Sequence, residues 1–438
     1  MKKLFLMGFV TLAFASCVSD KEVAPQTQDQ KYQAAFENLV GGKVNANVNW
    51  GFDAQQVVTF DEEGKYTGMR AVDANGNGWG LYVEVPQPLT QEQKDVVTDW
   101  FKKNKNPEGV ALNWSDFFVQ QVYKGEWGSN MNYLYCGSDT DHTNNFNSGD
   151  GGVYGNVCYG LKPGATDQND RIYGPDKIEF MVNSSTEYFG FHNSFDSNFY
   201  KDNYVIIPGD IIDPIVAGMF FVGFDFEAHG EDANTQQVER DYFFDNWIVK
   251  ITPGLYKDRK RIMVEDLIAN DLSQTDLSDW DFNDAVFDVA YVRQQPSDNQ
   301  PHHDYAVITL WAAGGTKALT VAGKEVHELF GQSVSKMINT NANGGVDGLQ
   351  PVIFRVDLGA TTDWNKQYNA NDIVVKVGST VLDAPEGKAP QKIEVSNSTR
   401  WMKERKIITL GYADFATYAT GGVATDWYKT VSDASVLY

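Results

Sequence analysis

Apolar residues recur along this chain with two periods, and the shorter one dominates. Runs rich in Val, Ile, Phe and Tyr, bounded by Gly, Asn, Asp and Ser, fall at residues 55–60, 80–85, 177–182, 188–192, 204–208, 218–226 and 242–251. More follow at 261–264, 285–292, 305–312, 319–321, 352–356 and 373–377. Each predicts a strand, because short apolar runs between turn residues suit a pleated, half-buried element. Helical spacing is confined to a few places. Tyr32, Ala35, Phe36 and Leu39 share one face of residues 31–40, which end at Gly41-Gly42. At 90–103, Thr90 can cap with Gln93 three residues on, and Val96, Val97, Trp100 and Phe101 form a buried stripe. A helical turn is expected at 325–330 and a C-terminal helix at 401–420.

These elements predict a mainly β protein: two β-sandwich, jelly-roll-like domains after a small α+β N-terminal domain. At 438 residues there is room for two or three cores. The expected boundaries are a signal peptide at 1–17, a polar tether at 18–30, the α+β domain at 31–125, a sandwich at 126–255 and a second β domain with the C-terminal helix at 256–438. No regular internal repeat is visible. Aromatics at 13% of residues agree with a strand-rich chain. The formal charge of −23, from 59 acids against 36 bases, repels phosphate backbones and excludes nucleic acid as a natural partner, while leaving metal cations and neutral glycans.

Charge is most uneven between Glu265 and Asp288, where eight carboxylates occur without a Lys or Arg. Within this stretch, Asp279-Trp280-Asp281-Phe282-Asn283-Asp284 alternates oxygen donors with rings and runs into an apolar strand. Extended backbone would send Asp279, Asp281 and Asn283 to one side and Trp280 and Phe282 to the other. Converging carboxylate and amide oxygens suit Ca²⁺, which takes six to eight oxygen ligands. The expected ligands are Asp279, Asp281, Asn283 and Asp284, with Glu265 and Asp266 approaching from a neighbouring strand. Two other readings of the same residues stay open: a solvated acidic loop, and a pair of carboxyls acting as the general acid and base of a glycosidase.

The string MVEDLIANDLSQTDLSDWDFNDAVFDVAYV resembles the signature of LruC-type domains, which occur in bacterial surface lipoproteins and have no assigned activity. Ala312-Ala313-Gly314-Gly315, the segment from Gly323 to Gly331, and a tail carrying Trp401, Glu404, Ile407, Tyr412, Phe415, Trp427 and Tyr428 extend the resemblance over residues 256–438. The resemblance implies a location at the cell surface and names no catalytic residue.

The first seventeen residues combine Lys2 and Lys3, an apolar run and small residues before Cys17, the pattern of an export signal too short to span a membrane. Ala15-Ser16-Cys17 resembles a lipobox, which implies cleavage before Cys17 and lipidation of its sulfur. The acids after it, in Val18-Ser19-Asp20-Lys21-Glu22, look like a surface-export signal, so the expected location is the outer membrane, lipid-anchored and facing the exterior. Export permits a Cys136–Cys158 disulfide, and two free thiols fit the sequence equally.

Two further segments invite a ligand. Asp73, Asn75, Asn77, Gly78 and Glu84 match an EF-hand loop, but Pro86 and Pro88 follow where a helix is needed, which favours a hairpin turn. The polar loop 137–152, with Trp127, Tyr133, Tyr135 and Tyr154 nearby, has the aromatic and amide composition of a glycan-binding surface, although strand aromatics are commonly core. None of the six His residues lies in a zinc pattern, and His302-His303-Asp304 reads as a solvated loop. No nucleophile elbow or phosphate loop is present. The resulting expectation is a non-catalytic binding or adhesion module with a structural Ca²⁺ site and a glycan or surface-protein ligand. A glycoside-active enzyme and a structural component of a surface assembly are the alternatives.

Overall fold

The structure, a computed structural model, describes residues 27–55, 57–59, 68–72, 78–83, 89–114, 116–124, 132–136, 159–161, 171–173, 177–181, 189–193, 204–225, 241–253, 255–256, 258–266, 279–294, 302–363 and 365–438. The chain is mainly β. Cys17, residues 18–26 of the tether, Cys158 and the loop 137–152 lie outside the described residues, and so do Asp73, Asn75, Asn77 and Glu84, whereas residues 28–30, expected in the tether, form the first turn of a helix capped by Thr27. The strands flanking that last segment, Gly68–Val72 and Gly78–Val83, pair antiparallel with Val72 opposite Gly78, so a hairpin frames it where an EF-hand would need helices.

One antiparallel sheet has seven strands, in the order Tyr204–Pro208, Phe220–Phe224, Trp247–Pro253, Asp116–Lys124, Lys177–Met181, Gly78–Val83 and Gly68–Val72. The helix Gln91–Lys103 lies on it through Val97 and Phe101, which join Ile207, Phe221 and Ile248 in one core. Its start is the expected capping box between Thr90 and Gln93. A Cβ on Gly223 would meet the Phe101 ring at 2.4 Å, so glycine lets the helix sit close. This sheet draws strands from both sides of residue 125, because Leu81 pairs with Glu179 and Phe118 also pairs with Glu179. The expected division between an α+β domain and a sandwich at 125/126 therefore cuts through a single sheet.

The second large sheet runs Val352–Thr361, His302–Ala312, Ala285–Gln294, Lys260–Val264, Lys392–Ser396. Lys260–Val264 covers Ala285–Gln294 only as far as Val289, and the parallel strand Val57–Thr59 takes up Tyr291 to Arg293. Ile262, Val264, Phe287, Val289 and Ile308 pack on one side with Leu319, Val321, Val375 and Leu382 of a four-stranded sheet. Met263, Val286, Ile393 and Val395 face the other side, under helices. One of these, Gln28–Val40, ends at a left-handed Gly41 as its sequence predicts. It belongs with the C-terminal sheet, so residues 28–59 are not part of the unit that contains 68–125. The two sheets meet where Trp114 bridges Ile353 and its indole donates to the Pro351 carbonyl at 3.1 Å.

Expected elements differ at 401–420 and at 302–304. Residues 401–420 are not one helix: they give an irregular segment followed by Ile408–Gly411 and Asp414–Gly421, with Arg405 left-handed at φ 57°. The backbone of 401–408 is occupied by bonds to the acidic stretch, described below, which compete with helical bonds. His302-His303-Asp304 is not a loop but the start of a strand, and Asp304 is fully buried against Arg293 and Tyr368.

Candidate metal centre

Strand register builds the site. Val264 pairs with Ala285, so the residues just beyond each, Glu265 and Asp266 on one side and Asp284 on the other, are brought face to face. The Asp284 N–H donates to the Val264 carbonyl at 3.0 Å, and the Asp266 N–H donates to Asp284 Oδ2 at 2.5 Å. Residues 279–284 are not a strand, contrary to the alternation expected of them. Phe282 is left-handed at φ 52°, a conformation that a bulky side chain enters at a cost of order 1–3 kcal/mol and that survives only when its surroundings hold it. The alternation of environment nevertheless persists. Trp280 packs on Tyr32 and Phe36 with centroids 5.0 and 5.3 Å apart, and Phe282 packs on Phe415 at 6.1 Å. The rings join the helical layer, which leaves the acids to face one another.

The C-terminal segment closes the site. Arg405 N–H donates to Asp281 Oδ2 at 2.7 Å, Ile408 N–H to the Trp280 carbonyl at 2.9 Å, and Asn283 Nδ2 to the Met402 carbonyl at 3.1 Å. These bonds carry in Glu404. Two triads result: carboxylate oxygens of Glu265, Asp281 and Asp284 lie within 4.8 Å of one another, and so do those of Asp279, Asp281 and Glu404. Asp281 belongs to both.

Burial, followed by the neighbouring carboxylates, holds Glu265 and Asp281 well above the usual carboxylate range, and Asp284 likewise, although as a residue it keeps some exposure. Glu404 is pushed up to about 7 by burial and then by Asp279. The cations at the rim answer little of this. Lys317 Nζ reaches Asp266 at 3.3 Å and Arg405 reaches Glu404 at 3.7 Å, with 36% and 77% of the basic side chains exposed. Exposed pairs of this kind are screened. Enclosed like charges need a proton or a cation among them.

Glycines make room for this crowding. A Cβ on Gly314 would fall 2.0 Å from Asn283 Oδ1, and one on Gly315 would fall 2.7 Å from Asp266 Oδ2 and 3.1 Å from Asp284 Oδ1. Gly315 is fixed from behind by His327, whose Nε2 donates to its carbonyl at 2.9 Å while Nδ1 lies 2.7 Å from Glu325. Asn283 Oδ1 is buried and meets no hydrogen-bond donor among the described residues.

Of the six residues expected to bind the ion, Glu265, Asp281 and Asp284 converge in one triad and Asp279 enters the other. Asp266 stands at the rim on Lys317. Asn283 turns its amide nitrogen to Asp281 at 2.8 Å and so orients that carboxylate. Asp288, from the same acidic stretch, is instead held by Arg259 and Arg261, each at 2.8 Å. Asp271 and Asp276 lie outside the described residues. Glu404 is the acid that sequence reasoning did not assign; its place in the tail beside Trp401 was the one signal available.

No family model matches the chain, and no curated protein does. One solved structure, from Bacteroides ovatus and described as a putative lipoprotein, is similar over 54% of this chain and 92% of its own, at 10% identity and a TM-score of 0.29. Among the described residues no helix is long and apolar enough to cross a membrane.

Proposed function

We propose that this chain is a lipid-anchored, exported binding module whose C-terminal β unit is locked by Ca²⁺. Glu265, Asp281 and Asp284 supply the first oxygens, with Asp279, Glu404 and Asp266 around them. The observation that carries the reading is the convergence of three enclosed carboxylates within 4.8 Å of one another. An oxygen-only donor set on irregular backbone favours calcium over magnesium, which demands stricter octahedral geometry. The ion would tie together three separated parts of the chain: the end of the strand Lys260–Val264, the turn before Ala285, and the tail at Glu404. Burial supports binding rather than turnover, since Glu265 and Asp281, each 2% exposed, are too enclosed to flank a glycosidic bond.

The anchor rests on the export signal ending at Cys17, and the exterior orientation on the acids that follow it. The tether would then lead directly to Gln28–Val40, whose Tyr32 and Phe36 cover Trp280 beside the ion. Of the expected sandwiches, the C-terminal one has support from the six-stranded sheet packed on the four-stranded sheet. The ligand class we favour is a glycan, on the composition of the loop 137–152.

A ligand that binds only the folded chain raises its stability by mass action. The thermal midpoint of the full chain should rise in calcium chloride relative to chelator, and the rise should vanish in Asp281→Ala. An unchanged midpoint in the unmutated protein contradicts the site. Glycan hydrolysis lost in Glu265→Gln would contradict the non-catalytic reading.

A further inference from the structure

A second buried acid lies at the edge of the same sheet. In the strand Lys392–Ser396, Ile393 and Val395 face the helical layer, so Lys392 and Glu394 face the opposite side. This strand is the last of its sheet, and the segment 50–55 meets it through Trp50, Gly51 and Gln55, while Ala54–Gln55 also pair with Tyr368–Asn369. Glu394 N–H donates to the Trp50 carbonyl at 2.9 Å, and a Cβ on Gly51 would meet the Glu394 carbonyl at 2.6 Å. Gln55 then turns inward, 6% exposed, and its Nε2 approaches Glu394 Oε2 at 3.4 Å. Gln55 Oε1 is buried and meets no hydrogen-bond donor among the described residues.

An ionised Glu394 can accept from the amide nitrogen but has nothing to offer the amide oxygen. Rotating the amide does not help, because two acceptor oxygens would then meet without a hydrogen between them. A protonated carboxyl satisfies both amide groups at once. We propose that Glu394 carries a proton through the neutral range and donates it to Gln55, forming a two-point acid–amide clasp that holds residues 50–55 on the sheet edge and opens when alkali removes the proton.

The surroundings agree. Burial is the largest influence on Glu394 and raises it to about 8; Lys260 on the adjoining strand and the Gln55 hydrogen bond lower it, and Asp53 on the covering segment raises it. Tyr291, on the strand beyond, is itself pushed up by burial and by Asp372 and Glu394. Lys392 donates to the Asn371 carbonyl at 3.2 Å, lies over the Phe52 ring, and is lowered by burial to about 8, against the influence of Asp383 and Asp372.

The sign of the stability effect follows from linkage. Glu394 is raised above its unfolded value, so its contribution is complete in acid and is lost as pH rises towards about 8. Lys392 is lowered, so it acts in the opposite sense above about 8. Glu394→Gln isolates the clasp, being neutral at every pH.

The test compares urea midpoints of the full chain and Glu394→Gln between about pH 6 and about pH 9, in excess calcium chloride and again in chelator. The unmutated midpoint should fall relative to the variant as pH rises, by the same amount in both solutions. Loss of the calcium site would shift the midpoints between the two solutions without touching this difference. Midpoints that move in parallel across the range overturn the clasp. Should Glu394→Gln fail to fold, infrared spectra at neutral pH decide: the protonated-carboxyl band should shift in Gln55→Met, and an unshifted band overturns the proposal.

Discussion

Buried acids in the C-terminal sheet are answered in two ways. Asp288 and Asp304 each sit directly across the register from an arginine, Arg261 and Arg293. The Arg293–Asp304 pair is two-pronged, with both contacts at 2.8 Å and side-chain exposures of 1% and 0%. Arg261 lies over the rings of both Trp311 and Trp401, at 5.5 and 5.2 Å, and donates to the Thr399 carbonyl. Where the turn before Ala285 meets the end of Lys260–Val264, Glu265, Asp281 and Asp284 face one another, and among the described residues the cations beside this cluster, Lys317 and Arg405, stand at its rim. The first arrangement supplies its countercharge from the sequence. On the proposed function the second takes it from solution, and the contrast predicts opposite responses to mutation and to calcium.

The largest effect should come from splitting a matched pair. Asp304→Ala leaves the Arg293 guanidinium buried without its carboxylate and should cost about 3–5 kcal/mol, equally in calcium and in chelator; a cost that depends on calcium would blur the distinction. Chelation of the unmutated protein comes next. Relative to calcium at about 100 times its Kd, it should cost about 2.7 kcal/mol, read from the urea midpoint. Glu265→Gln sharpens the comparison by a change of sign. In calcium it should destabilise by removing a ligand. In chelator it should stabilise, since the burial and neighbouring carboxylates that raise this carboxyl no longer count against the fold. Destabilisation of equal size in both solutions would show that Glu265 is merely structural.

A smaller effect is expected at Gly315. Gly315→Ala places a methyl 2.7 Å from Asp266 Oδ2, so the carboxylates must shift, and calcium affinity should fall by about tenfold with little change of stability in chelator. Equal affinities would remove Gly315 from the account of the site.

Much of this was readable in the sequence where the determinants are local. The capping box at Thr90 and the left-handed Gly41 fixed two helices within a few residues, and short apolar runs between turn residues located most of the described strands. The DWDFND stretch announced both its acids and the rings that back them. What escaped was set by distant chain. The pairing of Leu81 with Glu179, and of Val57 with Tyr291, joins segments whose periodicity cannot reveal a partner, so the expected domain boundaries failed to follow the sheets. The 401–420 segment has helical composition, yet its backbone donors at Arg405 and Ile408 are claimed by Asp281 and Trp280. Asp304 read as loop because Pro301 precedes it, while the arginine that buries it lies across the hairpin. Glu404 reaches the site through those same tail bonds, which local spacing does not encode.

Calorimetric titration of the full chain with calcium chloride tests the central claim most directly. A saturable binding heat in the unmutated protein, weakened by at least about tenfold in Glu265→Gln, is the predicted result. No heat of binding, or an isotherm indifferent to Glu265, would mean that protons alone keep these carboxylates together.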